Sequence, residues 1–393
     1  MFCHASRQVL ALSLFPIPVN VHAVAARCLF GQAALGIDGY LKTRDRVKVQ
    51  FLNLADNFRS KMLEFTQPAS TNMIFTEDLK SMVHLVENKP ADVELLQNMI
   101  SRFNRQNKEL RFGSFIFGPV VMRALHYLNL PDVALKVFKD PELDGFFDQL
   151  MSYQILMDLL YKNSMFKEVI EVFDMVQAKQ IHGPKYPKNV VILAMAASYK
   201  LNTKEQLNYV MNVWKKMLEL GHTPVRRAIT FAAALAVNQN SPHVAIEILS
   251  CTQQPNYVTV RNLKIAALAD LGRVEDAFPI LRNVIETDVP DQKKQTFSKD
   301  VLDKLKRSVE ERADPDVVKE FKHLEKALME GNHLSDSSLD EHLCSEITLA
   351  NAPGRQSGER NRAGFTGSLH QKPQYNYRNP PPRHYRTSLK DME

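Results

Sequence analysis

The chain repeats one local pattern at nearly constant spacing, and this pattern limits its possible folds more than any other feature. In five successive stretches, a small or β-branched residue is followed four positions later by a bulky apolar residue. The small residues are Ala134, Val169, Val210, Ala245 and Ala277, at spacings of 35, 41, 35 and 32, and the bulky ones are Phe138, Phe173, Trp214, Leu249 and Leu281. The small residue lets a facing helix approach and the bulky residue fills the gap one turn later, as in stacked helical hairpins. The pattern therefore predicts a stack of similar helical units.

The last stretch shows the repeating unit most clearly. Residues 258–285 read VTVRNLKIAALADLGRVEDAFPILRNVI, two helical runs of about twelve residues separated by Leu271, Gly272 and Arg273. The second run places apolar residues at the i, i+3, i+4, i+7 spacing of a helix face. A single hairpin buries too little apolar surface to offset the entropy of ordering it, so it is expected to stack on copies of itself.

Five such units account for residues 115–292, as 115–149, 150–184, 191–225, 226–257 and 258–292. An insertion at 185–190, which contains Pro187, explains the one long spacing. Residues 40–112 predict an N-terminal helical cap with a candidate diverged repeat, and two charged helices at 296–331 predict a C-terminal cap. Residues 335–393 lack periodicity, and we expect them to be disordered.

Cysteine and charge distribution exclude several classes of protein. The four cysteines are far apart, which excludes a disulfide framework and a zinc finger and indicates a reducing compartment. No apolar run reaches the length of a membrane span. The net charge of +6 divides into +4 for residues 1–50, +5 for 351–393 and −3 for the middle, so the folded part is not uniformly basic.

The N-terminal residues have the composition of an import segment. Residues 1–37 contain no Asp or Glu and include Arg7 and Arg27, which is typical of mitochondrial presequences. A secretory signal is the alternative because residues 9–15 are apolar, but Pro16 and Pro18 interrupt that run, and free thiols are unusual in secreted proteins. We therefore expect a mitochondrial targeting segment at 1–37, processing at an unspecified bond somewhere after Arg27 and a location in the matrix.

Several motifs resemble one repeat family. The period of 35, Tyr153 and Lys162 within LMSYQILMDLLYKNSMFKEVIEVFDMV, GRVEDA at 272–277 and MLELGHTP at 217–224 are similar to the consensus of pentatricopeptide repeats. The resemblance implies an all-α fold, a right-handed superhelical solenoid of helix-turn-helix repeats. It also implies binding of single-stranded RNA in an organelle. Tetratricopeptide repeats, which bind peptides, share the small and bulky columns and are the structural alternative.

The resemblance also implies where RNA would bind. In this family the fifth residue of each first helix and the last residue of the unit read one base per repeat. Asn262, Thr230 and Gln154 occupy fifth positions and can hydrogen-bond a base edge, whereas Pro119 and Met195 depart from the pattern. At the last positions of the second and third units, Pro184 and Val225 have no side chain that can hydrogen-bond a base. This favours recognition of shape over decoding of single bases.

Basic residues near these positions are expected to contact phosphates. Lys162 matches a lysine that many family members use in this way, and Arg227, Arg261 and Lys264 could follow the RNA backbone. Each of these charges is also explained as an ordinary solvated residue. Trp214 lies in a packing column and is expected in the core. The tail interleaves tyrosine and arginine between 375 and 386, which could add nonspecific affinity for RNA.

No catalytic motif is present. The sequence contains no phosphate-binding glycine loop, H-E-x-x-H or G-x-S-x-G, and we expect no cofactor, metal or catalytic residue. These observations predict a noncatalytic mitochondrial RNA-binding adaptor in transcript processing, maturation or stability, and hence in respiratory-chain gene expression. Its partners would be single-stranded mitochondrial RNA and an RNA-processing nuclease or mitoribosomal proteins. A protein-binding scaffold, on the mitoribosome or in respiratory-complex assembly, is the alternative.

Overall fold

The computed structural model describes residues 28–110, 115–179, 184–287 and 294–347, and these form an all-α fold. The α-helices are α1 (Gln32–Leu35), α2 (Ile37–Phe51), α3 (Ala55–Thr66), α4 (Thr76–Leu85), α5 (Pro90–Leu110), α6 (Gly118–Tyr127), α7 (Pro131–Lys139), α8 (Leu150–Lys162), α9 (Phe166–Lys179), α10 (Lys188–Leu201), α11 (Lys204–Glu219), α12 (Arg226–Asn238), α13 (Pro242–Ser250), α14 (Val258–Asp270), α15 (Phe278–Glu286), α16 (Lys299–Arg312), α17 (Pro315–Glu330) and α18 (Leu339–Leu343). Two short parallel strands, β1 (Phe297–Ser298) and β2 (Leu334–Ser335), pair with each other. In this part of the chain no helix is both long and apolar enough to cross a bilayer.

From α6 to α17 the helices form hairpins with a common turn. Each turn contains one residue in the left-handed region, a conformation that closes the end of a helix. Those residues are Asn129 (φ 53°), Ser164 (60°), Asn202 (48°), Asn240 (52°), Gly272 (66°) and Ala313 (54°). Asparagine and glycine tolerate positive φ best, which explains why they occupy four of these positions.

The packing columns lie in the core of these hairpins. All five small residues of the column are completely buried, from Ala134 to Ala277. Among the bulky residues, Phe173 and Leu281 are also completely buried, and Trp214 is 5% exposed. Trp214 is therefore a core residue, as expected, and its indole is not available to stack on a base.

Successive hairpins pack side by side through their first helices. Helix α8 packs on α6, α10 on α8, α12 on α10, α14 on α12 and α16 on α14. Side chains near the turns link equivalent positions: Asn129 and Asn163 exchange amide hydrogen bonds of 3.2 and 3.1 Å. The Gln239 amide likewise donates to the Asn202 carbonyl oxygen at 2.9 Å. The α16–α17 pair was expected to be a cap, and its helix α16 packs on α14 in the way that each first helix packs on the one before it.

The N-terminal boundary differs from the expected one. Residues 28–37 were assigned by composition to the targeting segment, but Leu29 and Leu35 are completely buried and Ile37 is 3% exposed. These residues therefore belong to the folded part, and residues 1–27 lie outside the described ranges. The first part of the expected N-terminal cap is two helices, α2 and α3, separated at Leu52–Leu54, where Leu52 has a φ of 22°.

The C-terminal boundary also differs. Residues 335–347 were expected to be disordered, but they contain part of β2 and α18. Ser338 and Glu341 form a capping box at the start of α18, and Leu343 is only 1% exposed. A helix of five residues is too short to show periodicity in a sequence, and its order comes from contacts with distant residues. The rest of the predicted tail, 348–393, lies outside the described residues.

Candidate nucleic-acid interface

Asn262 lies inside the protein, where its side chain bonds to the start of α16, the next first helix. Its side chain has no exposed surface. The Asn262 Nδ2 donates to the Val258 carbonyl oxygen at 2.8 Å, and its Oδ1 accepts from the Ser298 backbone N–H at 2.9 Å. Ser298 is the N-cap residue of α16. A base edge could reach the Asn262 amide only after these two hydrogen bonds had been broken.

Gln154 and Thr230 are also buried. Gln154 is 5% exposed, and its Oε1 accepts from Asn189 Nδ2, near the start of α10, at 3.1 Å. Thr230 is 1% exposed and its hydroxyl donates to the Arg227 carbonyl oxygen at 3.0 Å within α12. Asn262 and Gln154 thus share one arrangement, in which a fifth-position amide reaches the start of the following first helix. Their predicted contact with RNA stays a prediction.

The two predicted arginines contact other parts of the chain. Arg261 is 5% exposed, donates to the side chain of Gln295 and lies 5.5 Å from the Phe297 ring centroid. Burial lowers the pKa of its guanidinium. Arg227 is half-buried and donates to backbone oxygens of residues 342–345, described below.

The two predicted lysines are more accessible. Lys264 is exposed on α14, and Lys162 is half-buried at the end of α8. Burial raises the pKa of the Cys28 thiol, and Asp158 raises it further, whereas the charge of Lys162 opposes both effects. Lys162 therefore lies near the N-terminal residues that pack on α8.

Sequence reasoning missed a cationic edge at the starts of the first helices. We call Lys188, Arg226, Tyr257 and Lys264 the α10–α14 edge; Lys264, which was predicted, lies in the middle of α14 and not at its start. Lys188 and Arg226 are the first residues of α10 and α12, and the Arg226 guanidinium carbon lies 3.2 Å from the Tyr257 ring centroid. Lys188 and Arg226 line one crevice, and Lys264 lines a second crevice between α13, α14 and α15. Lys188 was not among the predicted residues because the third unit was expected to begin at residue 191, three residues after the start of α10.

The first turns of these helices carry no acidic residue. This holds for α8, α10, α12 and α14, whereas the second helices α7, α9 and α11 begin with Asp132, Glu168 and Glu205. Acidic side chains are favourable at a helix N-terminus because the helix dipole is positive there. At α10 and α12 the positive end of the dipole also lies beside a basic side chain, Lys188 or Arg226, whereas α8 begins without one.

A polar cluster lies where the N-terminal residues meet α6 and α8. The ligand atoms of Cys28, His126 and Asp158 are within 4.8 Å of one another. His126 Nε2 is 3.0 Å from Asp158 Oδ2, and Asp158 Oδ1 accepts from the Phe30 N–H at 3.0 Å. Both oxygens of the completely buried Asp158 thus have partners, and the cluster holds residues 28–30 on the first helices.

The first helices also hold a segment from the other end of the chain. Residues 338–347, which we call the C-terminal segment, contact side chains of α8, α10 and α12. We call the side chains they meet there, Tyr161, Tyr199, Lys200 and Arg227, the first-helix surface. Two of the predicted RNA-binding helices are therefore covered in part by the protein itself.

Comparison with known proteins finds relatives that all have the same name. No protein-family model matches the chain. A human protein is 30% identical over 351 residues, covering 86% of this chain and 87% of its own length. A mouse protein is 29% identical over 346 residues (84% and 87%), and one from Xenopus laevis is 28% identical over 312 residues (78% and 80%). All three are named pentatricopeptide repeat-containing protein 2, mitochondrial.

These names confirm the resemblance that the motifs of residues 150–277 had indicated, and they confirm the mitochondrial location predicted from the acid-poor N-terminus. The identity extends over most of both chains, well beyond the repeats. The chain belongs to the family of the mitochondrial pentatricopeptide repeat-containing protein 2.

Proposed function

We propose that the protein is a noncatalytic mitochondrial adaptor that binds single-stranded RNA. In this proposal the hairpins stack into a right-handed superhelical solenoid, and the bound strand is protected or presented for processing, maturation or translation in the matrix. An RNA-processing nuclease or a mitoribosomal protein would then act on the presented RNA, and the outcome would be expression of respiratory-chain genes. Family membership and the charge at the starts of the first helices support this proposal.

The charge at the α10–α14 edge is the observation that carries the proposal. A cation in the first turn of a helix is unfavourable by about 0.3–1 kcal/mol because it lies beside the positive end of the dipole. Lys188 and Arg226 both occupy such positions. A phosphate at the same place would accept hydrogen bonds from free backbone N–H groups and offset the charge of both side chains. A phosphodiester backbone provides such phosphates at regular intervals.

The edge also offers a surface for a base. The face of Tyr257 that Arg226 does not cover can stack on a base, a contact that does not depend on sequence. In this scheme Lys264, Lys162 and Arg227 contact phosphates. Asn262, Gln154 and Arg261 set the spacing between first helices, and Thr230 bonds within α12. Recognition would then follow the shape of the strand more than single bases.

The salt dependence of RNA binding tests this assignment. Protein lacking residues 1–27 would be titrated into fluorescent single-stranded oligonucleotides at several salt concentrations. Replacing Lys188, Arg226 and Lys264 by Ala should weaken binding and reduce the slope of log K against log salt by about 2, since each phosphate contact contributes ~0.7.

The matched control removes three lysines from second helices, with Lys136, Lys167 and Lys216 replaced by Ala. All three are exposed and lie on α7, α9 and α11. We expect the slope to change little in this variant. Equal losses in both triple variants, or no binding by the unmutated protein even at low salt, would contradict the proposal.

A protein-binding scaffold is the second candidate function. The observation that favours it is that the first helices already hold a polypeptide, the C-terminal segment. On this reading a partner protein of the mitoribosome or of respiratory-complex assembly would bind the hairpins. Crosslinking in mitochondria that recovers such a protein and no RNA would favour the scaffold.

A further inference from the structure

The C-terminal segment covers two cationic side chains of the first helices: Arg227, which the proposed function assigns to a phosphate, and Lys200, near the end of α10. Asp340 accepts from Lys200 Nζ at 2.8 and 3.0 Å and from the Tyr199 hydroxyl at 2.9 Å. Burial alone would raise the pKa of Asp340, but the hydrogen bonds from Lys200 and Tyr199 hold it below its usual value. A carboxylate of the chain thus occupies the position that a phosphate would take.

Arg227 holds the segment through neutral groups. Its guanidinium donates to the carbonyl oxygens of Leu343 (2.6 Å) and Ser345 (3.0 Å), to the Ser345 hydroxyl (2.8 Å) and more weakly to the His342 carbonyl. Within the described ranges no carboxylate forms an ion pair with Arg227. Arginine pairs with phosphate are frequently bidentate and add the attraction of opposite charges, which neutral carbonyl acceptors do not supply. A phosphate is therefore a better partner for Arg227 than the carbonyls that it now contacts.

The end of the segment pairs with the N-terminal residues. The Ile347 N–H donates to the Leu29 carbonyl oxygen at 2.8 Å, and the Gly31 N–H donates to the Ile347 carbonyl oxygen at 3.2 Å. The Phe30 N–H in turn donates to Asp158 on α8. One edge of the segment is thus tied to the first helices through residues 29–31.

The segment has few means of holding its own structure. Helix α18 has five residues, too few to be stable in isolation. In the ion pair, the side chain of Lys200 is 27% exposed and that of Asp340 is 51% exposed, so solvent screens much of their attraction. Leu343 is the one hydrophobic residue of α18 that is nearly fully buried. The segment is held mainly by hydrogen bonds near solvent and by one buried leucine, so it can open locally while the hairpins remain folded.

We propose that the C-terminal segment is an autoinhibitory element that occupies the first-helix surface in the free protein and is displaced by single-stranded RNA. RNA phosphates replace the Asp340 carboxylate at Lys200 and the backbone carbonyls at Arg227. The proposal rests on the proposed function, because it assumes that the displacing ligand is RNA. It predicts that the measured affinity equals the affinity of the open surface multiplied by the fraction of molecules that are open.

A charge reversal at the centre of the contact provides the test. Asp340→Lys places a cation opposite Lys200 and should release the segment, which raises the affinity for a single-stranded oligonucleotide on the order of tenfold. Glu247→Lys is the matched control, because it makes the same charge change at an exposed position of the second helix α13. The control should raise affinity much less.

Hydrogen exchange measures displacement directly. Amides of residues 339–347 should be protected in the free protein and should exchange faster in Asp340→Lys and in the unmutated protein saturated with oligonucleotide. Deletion of 338–393 should increase affinity relative to deletion of 351–393 alone, since only the longer deletion uncovers Lys200 and Arg227.

The outcomes separate this proposal from the proposed function. RNA binding that leaves the protection of 339–347 unchanged would overturn the autoinhibition and leave the RNA-binding role standing. Equal affinities of Asp340→Lys and Glu247→Lys would do the same. If exchange shows the segment released in Asp340→Lys and this open protein still binds no RNA, both proposals are overturned.

Discussion

At the scale of single residues, polarity could be predicted from the sequence but accessibility could not. Counting along the first helices places two polar residues, Asn262 and Gln154, at fifth positions. Their hydrogen-bond partners, Ser298 and Asn189, lie 36 and 35 residues away, where the next repeat begins. No local pattern reveals such a contact, so an exposed reading residue and a buried linking residue look the same in the sequence.

Replacing Asn262 by Ala should destabilise the protein. The change leaves the Ser298 N–H without its acceptor in a completely buried position, and an unsatisfied buried polar group costs about 1–3 kcal/mol. Urea denaturation followed by circular dichroism would measure this loss. The control is Asn283→Ala, an exposed position on α15 of the same hairpin, which should change stability by less than ~0.5 kcal/mol. Weaker RNA binding by Asn262→Ala at unchanged stability would instead support direct contact of Asn262 with a base.

At the scale of helices, long periodic elements were predictable and short ones were not. The hairpins of residues 118–286 follow from the columns and from turns such as Gly272, because helices of nine or more residues show their apolar face. The segments 28–36 and 338–347 contain only four- and five-residue helices, and they are ordered by each other and by α8, α10 and α12. Composition predicts an import signal over residues 1–37, but the last part of that range, from residue 28, lies inside the fold.

The presequence should therefore be cleaved before Cys28. Cleavage at residue 37 would remove Leu29, Phe30 and Leu35, which are at most 3% exposed, and each buried apolar side chain of this size contributes about 1.5–3 kcal/mol. Such a loss is comparable with the whole stability of many domains. N-terminal sequencing of the mature protein should give a first residue at or before 28. A mature N-terminus at residue 38 or later, in a protein as stable as one lacking only 1–27, would contradict this account.

At the scale of the whole molecule, net charge is a poor guide to the proposed binding surface. Residues 51–350 carry a net charge of −3, which by itself argues against RNA. The arrangement of those charges matters more: acidic residues begin several second helices, whereas α8, α10, α12 and α14 begin without one. The helix starts lie along one series of packed first helices, so a local positive potential can coexist with an acidic total.

Ultraviolet crosslinking in intact mitochondria, followed by mass spectrometry of RNA-bound peptides, tests the central claim most directly. We predict that the protein crosslinks to mitochondrial RNA and that the modified peptides contain the starts of α10, α12 or α14, with Tyr257 among the crosslinked residues. Peptides from the second helices α7, α9 and α11 should be absent. Recovery of protein partners without RNA, or crosslinks confined to those second helices, would contradict the account.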